Sequence, residues 1–206
     1  MTGWPANYSL LFVFELFSEP LLQRESKNKQ PCNSVNPAVH AYNECVMKAL
    51  PRFLCDEMLG HLCRYLRAAG YDAVLAQNGE NDAELLRQSH NEGRYFLTQD
   101  TLISEHKAAR GVALILPTET LDQLAAQLGK RYHLDWLSHA FTRCIVDNTP
   151  LVPADDAAIA RAPSDALRPG EQLQHCPTCG RIYWRGSHYK RMRLKLAAWQ
   201  AAQTNH

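Results

Sequence analysis

The chain has 206 residues, of which 46% are hydrophobic and 21% charged, with a net charge of +1. That length holds one ordinary domain plus an appendage, and a charge so near zero singles out no class of partner. No membrane span is expected, because Leu10-Leu11-Phe12-Val13-Phe14 is short and stops at Glu15, and without a basic stretch before it as in a signal peptide the protein reads as cytoplasmic.

Residues 1–48 are expected to form a poorly ordered N-terminal extension. The run Gln23-Arg24-Glu25-Ser26-Lys27-Asn28-Lys29-Gln30-Pro31 is polar and without period, and one short helix is placed near residues 8–17. From 49 to 140 strands and helices alternate. A strand at 52–56 leads into a helix with Met58, Leu59, Leu62, Cys63 and Leu66 at helical spacing, closed by Gly70 as a left-handed cap. Asp72-Ala73-Val74-Leu75 is a second strand. Asn81 or Asp82 caps the next helix, Leu85 and Leu86 face inward, and Gly93 ends it. A third strand at 94–99 delivers Asp100, and a short helix carries Leu102 and Ile103. Val112-Ala113-Leu114-Ile115-Leu116 is the fourth strand, followed by a helix marked by Leu121, Leu124, Ala125 and Leu128. Strands this apolar, alternating with helices, predict an α/β fold with a central parallel sheet covered on both faces.

Beyond about residue 140, Pro150, Pro153, Pro163 and Pro169 break the rhythm. Residues 141–206 therefore read as a small module stapled by metal, since its own core is too small to hold it. It closes in an amphipathic helix from about Ser187 to Ala202.

Three acids carry the first chemical signal. Asp56 ends the first strand, Asp100 follows the third, and Asp82 opens the helix after the second. Ligands of open α/β sheets bind outside the carboxyl ends of the strands. Carboxylates gathered there repel one another until a divalent cation relieves them, so Asp56, Asp82 and Asp100 read as a magnesium or manganese site for phosphodiester chemistry. Helix capping explains Asp82 or Asp100 taken singly. Glu57 and Glu84 are further candidates.

The seven cysteines are unevenly used. Cys55 and Cys63 fall at buried positions, where cysteine behaves as a small hydrophobe. Cys176-Pro177-Thr178-Cys179-Gly180 has the form of a zinc knuckle. Cys144 lies upstream of it, with Asp147 where a second cysteine would complete the set. Cys144, Asp147, Cys176 and Cys179 are a chemically sound zinc set, although His139, His175 or His188 could supply the fourth ligand. Reduced thiols without metal are the bland alternative.

The tail is basic. No acidic residue follows Glu171, while Arg181, Arg185, Lys190, Arg191, Arg193 and Lys195 do. Arg64, Arg185, His188, Lys190 and Arg191 are the candidates for RNA contact, and Arg67, one helical turn from Arg64 on the same helix, is a further candidate for phosphate. Trp184 and Tyr189 either stack on bases or pack the tail against the core. No Ser-His-Asp or Cys-His arrangement and no Gly-rich phosphate loop is present. A phosphoacceptor signalling domain also places acids at strand ends, but it needs a lysine at a later strand end that this chain does not offer.

Phe53-Leu54-Cys55-Asp56-Glu57-Met58-Leu59-Gly60-His61-Leu62-Cys63-Arg64-Tyr65-Leu66-Arg67, Asn81-Asp82-Ala83-Glu84-Leu85-Leu86 and Leu97-Thr98-Gln99-Asp100 resemble the Mut-seven C-terminal RNase family, as does the stretch from Cys176 to Tyr189. The resemblance covers about residues 50–195. It implies a PIN-like α/β/α sandwich with a central parallel sheet, then a small zinc-ribbon module and a C-terminal helix. It also implies metal-dependent cleavage of RNA, with Asp56, Asp82 and Asp100 as the acidic triad and Cys144, Cys176 and Cys179 as ribbon ligands. Asp147 departs from that pattern. The expected activity is a metal-dependent ribonuclease, with a non-catalytic RNA-binding module as the alternative. RNA is the expected partner, and a homodimer is left open.

Overall fold

The computed structural model describes residues 50–77 and 79–204, so the expectations for the N-terminal extension fall outside the described residues. Four short strands, β1 (Phe53–Cys55), β2 (Ala73–Leu75), β3 (Tyr95–Thr98) and β4 (Ala113–Ile115), form one sheet in the order β2-β1-β3-β4. Every pairing is parallel, with Leu54 opposite both Val74 and Phe96, and Leu97 opposite Leu114. The connections are α1 (Gly60–Ala68), α2 (Asp82–Glu92) and two 3-10 turns at Thr101–Glu105 and Lys107–Ala109, and α3 (Leu121–Tyr132) follows β4.

The period-two alternation of the strands sorts their side chains onto two faces. Phe53, Cys55, Ala73 and Leu97 meet Leu62 and Leu66 of α1, Leu124 and Leu128 of α3, and the buried Trp136. Leu54 and Phe96 meet Leu85 and Leu86 of α2 together with Ile103 and Ala109. Helical layers therefore cover both faces of a parallel sheet, giving the α/β/α sandwich that the alternation predicts. Each fully buried leucine in these layers stabilises the fold by about 2 kcal/mol.

The local signals act where they are read. Asn81 caps α2 by accepting the Glu84 N–H, and Gly93 ends it at φ +63°. Thr120 and Gln123 form a capping box on α3. Gly70 stands at φ +92°, and a Cβ there would come within 2.1 Å of the His139 carbonyl oxygen, so only glycine fits. Two details differ from expectation. The first helix opens with a 3-10 turn at Glu57–Leu59 that leaves Met58 75% exposed, and the element carrying Leu102 and Ile103 is 3-10.

Past α3 the chain forms a small antiparallel sheet of β5 (Val152–Pro153), β6 (Gln174–His175) and β7 (Ile182–Tyr183), with the short α4 (Asp156–Ala160) between β5 and β6. The last helix, α5 (Ser187–Thr204), lays Met192, Leu196 and Trp199 into the same core as Phe53 and Leu62. The described residues from 50 to 204 belong to one compact unit. Among the described residues no helix is long and apolar enough to cross a membrane.

Candidate functional site

In a parallel sheet all strands end at one edge. Asp56 follows β1 and Asp100 lies two residues beyond β3, which puts these two at that edge, while Asp82 opens α2 seven residues after β2; among the described residues the three do not form a group close enough to hold one metal ion. Thr98, the buried last residue of β3, ties two of them together. Its hydroxyl donates to Asp56 Oδ2 at 2.6 Å and accepts the Asp100 N–H at 3.0 Å. The other Asp56 oxygen accepts the Glu57 N–H at 2.7 Å, and Asp100 Oδ1 accepts the Leu102 N–H at 2.8 Å. Asp56 and Asp100 are thus caps of 3-10 turns as well as edge acids.

Asp82 is different. Asn81 takes the capping role, and the half-buried Asp82 carboxylate has no hydrogen bond or ion pair among the described residues. Glu84 pairs with Arg87 one turn along α2, while Glu57 is exposed. Thr98 carried no flag in the sequence. The signal for it was its place in Leu97-Thr98-Gln99-Asp100, where strand alternation buries the hydroxyl beside the acids.

A second cluster is closed. The Sγ atoms of Cys144, Cys176 and Cys179 and a carboxylate oxygen of Asp147 all lie within 4.8 Å of one another. Among the described residues this is the one group of three or more such side chains gathered closely enough to hold a metal ion. Local turns build it: the Cys144–Asn148 turn presents Cys144 and Asp147, and Gly180 at φ +70° completes the turn after Cys179. Cys144 and Cys179 Sγ stand 3.7 Å apart, and Cys176 Sγ lies 3.2 and 3.4 Å from the two Asp147 oxygens. Tetrahedral zinc with sulfurs at ~2.3 Å sets neighbouring sulfurs about 3.8 Å apart, so the donor set fits that ion. His139, His175 and His188 stand outside the group. Burial opposes ionisation of Asp147, but the Thr149 N–H and the three thiols outweigh it and hold the carboxyl below the usual range.

The cluster docks on the opposite edge of the main sheet. Asn148 accepts the Ala73 N–H and donates to Asp72, which lies just ahead of β2. Arg67 is buried and donates to the carbonyls of Ala73 and Val146 at 2.7 and 2.6 Å. It is a strut between α1 and the metal-binding turn, which corrects its reading as a phosphate contact.

The basic candidates divide. Arg64, Arg185 and His188 line one cavity of about 890 Å³ between α1, the small sheet and the start of α5. Lys190 and Arg191 stand outside it, exposed on α5. Tyr189 stacks on Phe141 with ring centroids 4.3 Å apart, and Lys195 pairs with Asp122, so these two serve packing.

Among known families, the model of the Mut7-C RNAse domain matches residues 51–196. No curated protein and no solved structure matches the chain.

Proposed function

The chain belongs to the Mut7-C RNAse domain family, and from that premise we propose that it is a metal-dependent ribonuclease acting on RNA phosphodiester bonds at its acidic edge. The observation that supports the reading is Thr98, whose hydroxyl joins Asp56 and Asp100 beyond the ends of β1 and β3, and Asp82 at the start of α2 completes the proposed site. The donors are hard carboxylate oxygens, which suit magnesium or manganese, and such an ion supplies Lewis acidity toward water and phosphate. Asp82 enters that role with a carboxylate committed to nothing else. Asp56 would enter it with one oxygen held by the Glu57 N–H and the other by the Thr98 hydroxyl, and Asp100 with one oxygen fixed by the Leu102 N–H, which orients the other.

Zinc at Cys144, Asp147, Cys176 and Cys179 would be structural, since four protein ligands leave no open position. Arg64, Arg185, His188, Lys190 and Arg191 would meet RNA phosphates, in a cytoplasm that keeps these thiols reduced. Pairing of two chains belongs to the same proposal.

Asp100→Asn tests it. Asparagine keeps an oxygen for the Leu102 N–H, so the melting temperature should hold. Cleavage of a labelled RNA with magnesium or manganese should fall about a hundredfold or more. Full activity in that variant, or without either cation, would sink the reading. A non-catalytic RNA-binding module is the second reading, favoured by the capping bonds that already occupy Asp56 and Asp100. Salt-sensitive RNA retention without turnover would select it.

A further inference from the structure

The cavity between α1, the small sheet and α5 has a lining that the fold does not require. Five exposed arginines, Arg64, Arg161, Arg181, Arg185 and Arg193, are among its lining residues against a single acidic one, Asp165. Among the described residues none of these five arginines is ion-paired. Unpaired cations around one concavity repel one another, a cost that an anionic ligand removes. A second observation points the same way. The indole Nε1 of Trp184, another lining residue, is buried without a hydrogen-bond partner. Gly186 lies so close that a Cβ there would come within 2.7 Å of that nitrogen. A buried donor left unmade is costly, and a shift of the turn at Gly186 that uncovered it would offer it to a phosphate oxygen. The first turn of α5, whose amides have no intrahelical acceptor, opens on the same space.

We infer that this cavity is a subsite for the phosphodiester backbone of single-stranded RNA, separate from the acidic edge. The inference rests on RNA being the substrate, as proposed above, and goes beyond it in placing the strand. None of Asp56, Asp82 and Asp100 lines the cavity. Ile145 and Val146, which do, belong to the turn that docks on the amino edge of the sheet. A strand engaging both places must therefore run along α1, whose exposed residues His61 and Arg64 face solvent. The volume sits at the upper end of the ~300–1,000 Å³ of small-ligand pockets, with room for more than a single phosphate and none for a duplex. Two of the aromatic side chains are tied to the protein: Tyr189 stacks on Phe141, and the Tyr183 hydroxyl donates to Cys144 Sγ at 3.0 Å. Five arginines against one acid make backbone charge the main feature recognised.

The test is anisotropy of a short labelled RNA single strand on the zinc-loaded full chain, without added magnesium or manganese. Arg181→Ala/Arg193→Ala should weaken binding about tenfold and reduce the slope of log affinity against log salt by about 1.4, the release expected for two lost phosphate contacts. Lys107→Ala/Arg110→Ala removes equal charge outside the cavity, and an equal loss there would reduce the effect to net charge and overturn the subsite. A duplex bound as tightly as the single strand would overturn it too, as would displacement by inorganic pyrophosphate at RNA-like concentration, the mark of a small-anion site. Cavity-dependent binding without cleavage would leave the subsite standing and fell the ribonuclease reading. Cleavage with unchanged affinity in the arginine variant would do the reverse.

Discussion

Asp72 and Arg94 hold the edge of the sheet opposite the acids. Arg94 is 7% exposed, and its guanidinium donates to both Asp72 oxygens, at 2.7 and 3.2 Å, while Nε reaches Glu92. Arg52 and the Asn148 amide donate to the same carboxylate at 2.9 and 2.7 Å. Burial opposes the Asp72 charge, but the bonds from Arg94, Asn148 and Arg52 outweigh it and hold the carboxyl well below the usual range. Its folded value lies below the unfolded value of about 3.9, so the stabilisation is complete above that pH and is lost as pH falls through the folded value. Melting curves taken from neutral to acid pH should therefore drop more steeply for the unaltered chain than for Asp72→Asn. Parallel curves would refute the assignment. At neutral pH Asp72→Ala should cost about 3 kcal/mol, because it strips a buried guanidinium of its main partner. None of this was visible in the sequence, where Asp72 and Arg94 are merely the first residues of two expected strands. Their pairing exists because Arg94, ahead of β3, reaches across the start of β1 to Asp72, ahead of β2.

The cysteine turns show the opposite case. Cys176-x-x-Cys179-Gly180 was legible as a knuckle because both ligands and the glycine lie within five residues. The partner Cys144–Asp147 pair was legible by the same spacing, and the open choice of fourth ligand closes on Asp147 only through distance. The three strands around it are two residues each, too short to hold a sheet unaided. Removing a ligand should accordingly loosen this module before the main sheet. Asp147→Ala is expected to lower zinc affinity by at least the about 10–100-fold that loss of an outer-shell partner costs. Zinc competition with a chromophoric chelator measures it, and unchanged affinity would exclude Asp147 as a ligand. Asp147→Cys should raise affinity, since thiolate is the softer donor.

Across the whole molecule, α5 joins what the sequence leaves apart. Trp199 packs against Tyr65 and Trp136 at 5.0 Å between ring centroids, and its Nε1 donates to Asp122 of α3 at 2.7 Å. Trp199→Ala should destabilise the chain by about 3–5 kcal/mol in denaturant unfolding. A negligible change would mean that α5 is dispensable to the core. The same helix supplies Arg193 and His188 to the cavity, so its docking fixes the distance between cationic cavity and acidic edge.

The order of strands and helices, the caps, the burial of Cys55 and Cys63 and the knuckle were all written in runs of a few residues. Propensity, alternation and capping act over that range and need no distant partner. Placing Asp56 and Asp100 on one edge required only the further rule that parallel strands end together. What folding alone settled are contacts across long sequence separations: Thr98 with Asp56, Arg94 with Asp72, Asn148 with Asp72, and five arginines from α1, the small-sheet module and α5 around one cavity. Such contacts depend on how layers dock, and docking is decided by the shape of the buried faces, which no local pattern of residues encodes.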